Sequence, residues 1–220
     1  MALSIEPYYP GINDSLGGDP GGSFTNQVFT LFAPWTDLSG SRQVRSTAAR
    51  EQIAAGEAIF NTFPLTITDV GGLNDTAGTS VTGTCSTCHD APNSGGHSLP
   101  LPLDVGVSHV SGIETDPGLA SALTQLSSPA LPIYKITCTA TSPVRTVFTT
   151  DPGRALITGK CSDLNRLKGP VLRGLAARAP YFHNGSASTL LEVVNFYDAR
   201  FGMGLTDEQK QQLVSFLRSL

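Results

Sequence analysis

Five consecutive residues, Cys85-Ser86-Thr87-Cys88-His89, constrain the fold of this chain more than any other stretch. The pattern Cys-x-x-Cys-His is the attachment signature of a c-type haem. A single helical turn presents both thiols to one edge of the porphyrin, where they add across its vinyl groups, and it carries the adjacent His89 under the ring to coordinate iron. We therefore predict one covalent haem c, with Cys85, Cys88 and His89 as its attachment residues.

The two other functions of a Cys-x-x-Cys pair fit this chain less well. A structural zinc site needs a second Cys or His pair at ligand spacing, and the remaining cysteines, Cys138 and Cys161, are too far apart in the sequence to supply one. A thioredoxin-like redox pair lies in a βαβ unit, which no part of the sequence indicates.

Cys138 and Cys161 suggest a disulfide in an exported protein. The chain-entropy model gives such a bridge a stabilisation of roughly 3 kcal/mol. Two free buried thiols are the alternative interpretation of the same pair.

Composition indicates a globular protein with long loops. The chain has 220 residues, of which 15% are charged and 40% hydrophobic, so it is one large domain or two small ones and is not disordered. Its 23 glycines and 15 prolines predict loops wrapped around a core that the haem partly fills.

Two further features of the sequence concern its location. No stretch approaches the roughly 18 consecutive apolar residues of a membrane-spanning helix, and no signal peptide is visible at the start of the chain. Because covalent haem attachment in bacteria occurs outside the cytoplasm, we expect a periplasmic or otherwise exported protein, and a sequence that is a processed form or a fragment of something longer.

Charge is distributed unevenly along the chain. Residues 51–134 contain eight acidic residues and no lysine or arginine, whereas residues 135–180 contain eight basic residues and only two acidic ones. Arginine is a strong partner for carboxylates such as the two haem propionates, so we predict that the basic segment folds over the haem edge and the acidic segment. A nucleic-acid partner is not expected, because the chain has a net charge of −4 and lacks basic, aromatic platforms.

The first predicted helix covers residues 42–60. Its alanines favour helix formation, and Ile53, Gly56 and Phe60 share one face at helical spacing. A small residue followed by an aromatic, on the helix that precedes the haem motif, is typical of the first helix of a cytochrome c domain.

Strands and later helices are predicted from alternation and capping signals. Leu65–Thr68 alternates like a short strand, and segments 131–138 and 144–149 are expected to pair as a hairpin. Pro170 is predicted to open a short helix that Pro180 ends.

Two capping boxes predict the last two helices. Thr189 with Glu192 begins the first of them, and Thr206 with Gln209 begins the final one. Residues 1–47, rich in Gly, Pro, Asn and Asp, are predicted to form an extended arm that packs on the body, residues 48–220. The fold class is therefore mainly α: a cytochrome-c-like haem domain with a small β-hairpin insertion and an extended N-terminal arm.

Several segments in the last third of the chain carry a family resemblance. They are residues 154–159 (RALITG), 168–174 (KGPVLRG), 179–185 (APYFHNG), 189–194 (TLLEVV) and 195–197 (NFY). Together they resemble the C-terminal haem domain of the bacterial di-haem cytochrome c peroxidases and MauG-type enzymes, and the resemblance covers roughly residues 48–220.

The chain departs from that family in having a single Cys-x-x-Cys-His motif. The resemblance implies two haems, one that relays an electron and one that meets peroxide, so the family mechanism cannot run within this chain alone. Either a second haem lies on a missing segment or a partner, or this is a mono-haem relative that carries electrons.

The ligand on the other face of the iron decides between these chemistries. Met203, in a glycine-rich loop between the last two helices, offers a soft thioether that raises the iron potential and suits electron transfer. Tyr197 lies where the resemblance places the ligand of the C-terminal haem, a methionine in the peroxidases and a tyrosine in the MauG type. A loop methionine and a core tyrosine are the respective alternatives, and His97 and His109 are further candidates.

Other site residues are predicted around the haem edge. The resemblance places His183 near the haem, where it bonds a propionate or tunes the site, although a turn histidine explains it equally well. Arg154, Lys168 and Arg173 are the predicted propionate partners, with surface charges as the alternative.

The predicted function is electron transfer by a periplasmic c-type cytochrome, with a redox protein or a second haem domain as its partner. The alternative is a peroxidase or MauG-type oxidase domain that uses high-valent iron, and a third class is a sensor with an open iron site. A peroxidase needs an acid/base residue beside the iron. Glu114 is the nearest acidic candidate after the motif, in what looks like an exposed loop.

Overall fold

The computed structural model describes residues 27–40, 44–91, 94–96, 101–113, 116–127 and 131–220. Residues 1–26 of the predicted arm, together with His97 and Glu114, lie outside the described residues. Among the described helices, none is both long enough and apolar enough to cross a membrane.

The described residues form short helices and two small antiparallel sheets. The helices are α1 (Val44–Thr62), α2 (Asn74–Ala77), α3 (Cys85–Cys88), α4 (Pro117–Leu123), α5 (Ala155–Thr158), α6 (Leu190–Phe201) and α7 (Asp207–Leu217). The strands are β1 (Leu65–Thr68), β2 (Ser80–Gly83), β3 (Tyr134–Cys138) and β4 (Arg145–Thr149). The fold is thus helical with small antiparallel hairpins, so the mainly-α prediction holds only in outline.

The crossing of α1 and α7 organises the core. A Cβ atom on Gly56 would lie 2.0 Å from the backbone oxygen of Gln212, so the two helices touch through their main chains at this point. One turn further on, the rings of Phe60 and Phe216 lie 5.3 Å apart. The predicted helix and its glycine–aromatic face are confirmed, with the helix running from Val44 to Thr62.

The described part of the N-terminal segment packs on α1. Phe29 is buried and meets Phe60 edge-on at 5.7 Å, while its backbone N–H and carbonyl bond the side-chain amide of Asn61 at 3.2 and 2.7 Å. One turn earlier, the buried Glu57 carboxylate accepts the N–H of Phe32. Residues 27–40 therefore behave as an arm on the body, and the predicted boundary at residue 47 stays a prediction.

The two hairpins are both antiparallel. β1 pairs with β2, with Leu65 opposite Gly83, and β3 pairs with β4, with Tyr134 opposite Thr149. The predicted strand at Leu65–Thr68 and the predicted hairpin of β3 and β4 are confirmed. β2 was not predicted, since its short Ser-Val-Thr-Gly sequence lies among the turn residues of the same insertion.

The Cys138–Cys161 disulfide joins the end of β3 to the segment that follows α5, with the two Cα atoms 5.9 Å apart. Cys138 is fully buried. The interpretation of these cysteines as a bonded pair is thus the one that the structure supports.

The predicted helix after Pro170 is wrong. Residues 170–172 have no regular secondary structure, and the N–H of Leu172 bonds the backbone oxygen of Ser94 at 2.8 Å. Residues 173 and 174 form a turn, in which Gly174 adopts a left-handed conformation (φ +70°). Only a 3₁₀ turn, Leu175–Ala177, forms before Pro180. A tertiary contact with the loop after the haem motif overrides the local helix signal.

The last two helices begin where predicted, with different caps. Thr206 and Gln209 form the complete capping box of α7. At α6, Thr189 accepts the N–H of Glu192, but the Glu192 carboxylate turns to the backbone N–H of Ser188 at 2.9 Å, so only half of the predicted box forms. The leucines of the final segment, Leu213, Leu217 and Leu220, are all buried.

The close approach at Gly56 predicts a specific effect of substitution. Gly56→Ala should lower the free energy of unfolding by about 1–3 kcal/mol through overpacking, although alanine is intrinsically favoured over glycine in a helix by about 1 kcal/mol. Denaturant unfolding measures this change.

Gly118→Ala is the matched control for this prediction. Gly118 is also helical, but its added Cβ would make only ordinary contacts at 3.4 Å, so helix propensity should leave this variant unchanged or more stable. Equal effects at the two positions would contradict the main-chain contact between α1 and α7.

Candidate functional site

The haem motif forms a single helical turn, as its spacing predicts. Thr84 and Thr87 cap α3 reciprocally, with the Thr84 N–H bonded to Thr87 Oγ1 at 2.8 Å. The residue before Thr84 must be small, because a Cβ atom on Gly83 would lie 2.6 Å from Thr87 Oγ1. The cap fixes the direction in which Cys85 and Cys88 project.

Both thiols of the motif are in a desolvated setting. Burial raises the pKa of Cys85 to about 12, and it raises the pKa of Cys88 to about 11. A redox-active Cys-x-x-Cys pair shows the opposite shift, with a thiolate stabilised at neutral pH. The site therefore does not have the electrostatics of a thioredoxin-like centre. Cys138 and Cys161 are bonded to each other and so cannot serve as zinc ligands with Cys85 and Cys88.

His89 is held in the tautomer that binds metal. Its Nδ1 lies 3.0 Å from the backbone oxygen of Gly95. Because a carbonyl only accepts hydrogen bonds, Nδ1 carries the proton and Nε2 keeps its lone pair. Burial also lowers the pKa of His89, which favours the neutral imidazole that a metal requires.

Gly95 can be only glycine in this arrangement. Its φ is +79°, and an added Cβ would lie 2.8 Å from Leu172 Cδ1 and 3.5 Å from the Cβ of His89. Neither Gly95 nor Leu172 was predicted from the sequence to support His89. The Gly95-Gly96 pair six residues after the histidine was the available signal.

The back of the motif is tied to α1. Ser86 is buried and donates its hydroxyl to Asn61 Oδ1 at 2.8 Å, the same amide that bonds the backbone of Phe29. The N–H of Ala91 bonds the backbone oxygen of Gln27 at 2.6 Å. The N-terminal segment, α1 and the haem motif thus form one connected unit.

A cavity of about 410 Å³ lies against the motif. It falls within the 300–1,000 Å³ of typical ligand pockets, and its lining is predominantly aliphatic and aromatic. Cys85, Cys88 and His89 line it together with Tyr197 and Met203. These residues fit haem c. The two thiols correspond to its two vinyl groups, the neutral imidazole to its iron, and the apolar lining to its porphyrin ring.

Both predicted ligands for the second iron position line this cavity. Tyr197 stacks on Phe201, with ring centroids 6.1 Å apart, and burial raises the pKa of its phenol. Met203 follows the end of α6, where its N–H bonds the backbone oxygen of Asp198 at 3.0 Å. The structure therefore brings both candidates to the site, and coordination by either stays a prediction.

The other histidine candidates lie elsewhere or are not described. His109 Nε2 pairs with Asp104 Oδ2 at 3.1 Å and does not line the cavity. His97 is outside the described residues.

The predicted propionate partners separate into two groups. Lys168 lines the cavity. Arg154 instead lies 3.7 Å from Asp163 and Arg173 lies 3.4 Å from the Ser94 hydroxyl, and neither of these arginines lines the cavity. Their role with a propionate stays a prediction.

Arg178 is a cavity residue that the sequence analysis did not single out. It lines the cavity and donates to the backbone oxygen of Val171 at 2.9 Å. Its position directly before the 179–185 segment was the sequence feature that could have identified it. The basic segment also contacts the acidic one, since Arg166 bonds Asp75 at 2.5 Å.

His183 lies at the rim of the cavity. Its side chain is 69% exposed, and its Nδ1 bonds the buried carboxylate of Asp151. The neighbouring Asn184 fixes the loop by donating to the backbone oxygen of Val107 at 2.9 Å. This placement fits the predicted near-haem position, while a bond from His183 to a propionate stays a prediction.

Comparison with known proteins agrees with this site. A family model described as RoxA-like, cytochrome c-like matches residues 167–202. The chain is 32% identical to the cytochrome-c peroxidase IdrP2 of Denitromonas iodatirespirans over 147 residues, which is 63% of this chain and 36% of that protein. It is 27% identical to IdrP2 of Pseudomonas sp. (strain SCT) over 221 residues, 94% of this chain and 50% of that protein.

A third relative is cytochrome-c peroxidase IdrP1 of Pseudomonas sp. (strain SCT), 26% identical over 62% of this chain and 36% of that protein. The chain thus spans between about a third and a half of these three relatives, and no solved structure matches it. These similarities and the Cys-x-x-Cys-His site show that the chain carries a cytochrome c peroxidase-like haem domain, whose cofactor is haem c.

The support of His89 by Gly95 leads to a testable prediction. Gly95→Ala should destabilise the protein by more than the roughly 1–2 kcal/mol cost of a left-handed alanine, because the added methyl group displaces Leu172. It should also lower the haem content, because the carbonyl that orients His89 moves. Denaturant unfolding and the haem absorbance per chain measure the two effects.

Gly174→Ala is the control, since Gly174 has a similar φ of +70° and no heavy atom within 4 Å of an added Cβ. This variant should lose only the stability that a left-handed alanine costs, and its haem content should stay unchanged. A haem content equal to that of the natural protein in Gly95→Ala would contradict the supporting role of Gly95.

Proposed function

We propose that this domain binds haem c through thioether bonds to Cys85 and Cys88, with His89 as an iron ligand, and that it transfers single electrons. When bound, haem c supplies a one-electron iron couple whose potential the protein sets through ligands and burial. The observation that carries the proposal is that Tyr197 and Met203 line the same cavity as His89. Either side chain would supply a second protein ligand to the iron besides His89, and an iron held by two protein ligands would suit electron transfer.

The two candidate ligands imply different potentials. A Met203 thioether is neutral and can be buried in the apolar cavity without the cost of burying a charge, and it favours ferrous iron. A Tyr197 phenolate is anionic and favours ferric iron. Its position on α6 agrees with the resemblance to MauG-type enzymes.

The alternative function is a peroxidase. It is favoured by the names of the curated relatives and by the pair of His183 and Asp151 at the cavity rim, where a histidine oriented by a carboxylate could move a proton. Because the chain matches only part of those relatives, this function would use a second haem on another segment or partner.

Location and partner complete the proposal. We propose an exported, periplasmic domain, as covalent haem attachment requires. Its partner would be another redox centre, either on a separate protein or on a second haem domain.

The number of haems is the first property to measure. The purified protein should contain one haem per chain, retained under denaturing conditions, because two thioether bonds hold it. Cys85→Ala with Cys88→Ala should release the haem on denaturation, whereas a serine substitution at the disulfide cysteines should not. Mass spectrometry and pyridine haemochrome absorbance give the stoichiometry, and a chain that is folded but free of covalent haem would overturn the proposed function.

The ligand and the function are tested together by spectroscopy. We expect ferric protein with a low-spin absorption and EPR spectrum that cyanide and hydrogen peroxide leave unchanged. Met203→Leu or Tyr197→Phe should open the iron, giving a high-spin signal and cyanide binding, and the variant that does so identifies the ligand. Phe201→Leu is the control, because Phe201 lines the same cavity without a coordinating atom.

A different spectrum would reverse the ranking of the two functions. High-spin ferric protein that reacts with peroxide would contradict the electron carrier and support the peroxidase. His183→Gln would then be expected to slow that reaction.

A further inference from the structure

Arg200, in the last turn of α6, is a buried cation. Its side chain is almost inaccessible, with a residue exposure of 6%. Its guanidinium donates to three backbone oxygens, those of Thr68 and Asp69 at 3.0 Å and that of Val105 at 3.3 Å. Buried arginines are usually paired with a carboxylate, whereas the hydrogen-bond partners of Arg200 are neutral carbonyls.

Within the described part of the chain, no carboxylate forms a salt bridge with Arg200. Asp198, on the same helix, pairs with Lys210 at 2.7 Å. Asp104 pairs with His109, and Asp69 contributes its backbone oxygen while the residue itself is exposed. A full positive charge is thus held in the interior by carbonyl dipoles.

This charge lies directly behind the wall of the haem cavity. The Cζ atom of Arg200 is 5.2 Å from the centroid of the Phe201 ring. Phe201 lines the cavity and stacks on Tyr197, and Val105, which accepts one of the hydrogen bonds, lines the cavity as well. One layer of side chains therefore separates the guanidinium from the cavity.

A buried charge acts strongly over such a distance. Coulomb interactions increase as the effective dielectric constant falls, and salt screens buried charges much less than exposed ones. A fixed positive charge favours the state of a nearby redox group that carries less positive charge. For an iron couple, that state is the reduced one.

We propose that Arg200 raises the reduction potential of the haem bound in this cavity through its buried charge. The inference rests on the proposed function in one respect, namely that the cavity holds a haem. Its structural alternative is that Arg200 serves only to fasten the Thr68–Asp69 turn and the segment at Val105 to α6.

Two variants distinguish the effect of the Arg200 charge from the effect of its hydrogen bonds. Arg200→Met removes the charge and all three hydrogen bonds, whereas Arg200→Lys keeps the charge and cannot make the same three bonds. Arg218→Met is the matched control, because Arg218 is an exposed arginine at the end of α7. Each variant is first measured for haem content and then titrated in a spectroelectrochemical cell at low and at high salt.

We expect Arg200→Met to decrease the equilibrium constant for reduction about tenfold, which is 59 mV for a one-electron couple. The decrease should be similar at both salt concentrations. Arg200→Lys should retain most of the potential, and Arg218→Met should leave it unchanged.

Three results would overturn the inference. The first is an unchanged potential in Arg200→Met with full haem content, and the second is an equal loss of potential in Arg200→Lys and Arg200→Met. The third is the failure of both variants to fold with haem while the natural protein does so, which would assign Arg200 to fastening. Absence of haem from the natural protein would instead refute the proposed function, so the two failures are distinguishable.

Discussion

The contact between Gly56 and the backbone oxygen of Gln212 is the constraint on which the haem cavity depends. Because no side chain separates α1 from α7 there, Phe60 and Phe216 are brought to 5.3 Å. Phe60 in turn lies 6.5 Å from the ring of His89. α1 and α7 are far apart in the sequence. The distance between them therefore determines the position of the His89 imidazole, which lines the cavity.

A second set of contacts fixes the orientation of that imidazole. The backbone oxygen of Gly95 accepts the hydrogen bond of Nδ1–H, and Leu172 packs so closely against Gly95 that a side chain there has no room. On the other side of the motif, Ser86 is bonded to Asn61. Metal sites depend on such outer contacts, because they select the tautomer and the ring direction before the metal is bound.

The parts of this architecture that depend on local sequence were predictable. The Cys-x-x-Cys-His turn, the glycine–aromatic face of α1 and the cap of α7 each rest on residues within a few positions of one another, and all of them form. The helix expected after Pro170 is wrong for the opposite reason. There, a hydrogen bond between Leu172 and Ser94, residues remote in sequence, outweighs a favourable helix start.

The candidate site shows the same division between local and distant information. Cys85, Cys88 and His89 are read from one motif. Asn61, Arg178 and Arg200 have no motif of their own, since their position at the site depends on how α1, the 170–178 segment and α6 pack. Basic residues in particular could not be ranked from sequence, because Lys168 and Arg178 line the cavity whereas Arg154 and Arg173 do not.

The placement of cations around one apolar cavity has a physical consequence for any redox group that it holds. Lys168, an exposed residue that lines the cavity, is screened by solvent and can neutralise an anionic substituent of the ligand. Arg200 is screened much less, because it is buried and surrounded by carbonyl oxygens and the Phe201 ring. A surface cation mainly affects where the ligand sits, whereas a buried one also affects which oxidation state is favoured. The proposed effect on the reduction potential therefore falls to the interior cation, although nothing in the sequence around it distinguishes it from a surface arginine.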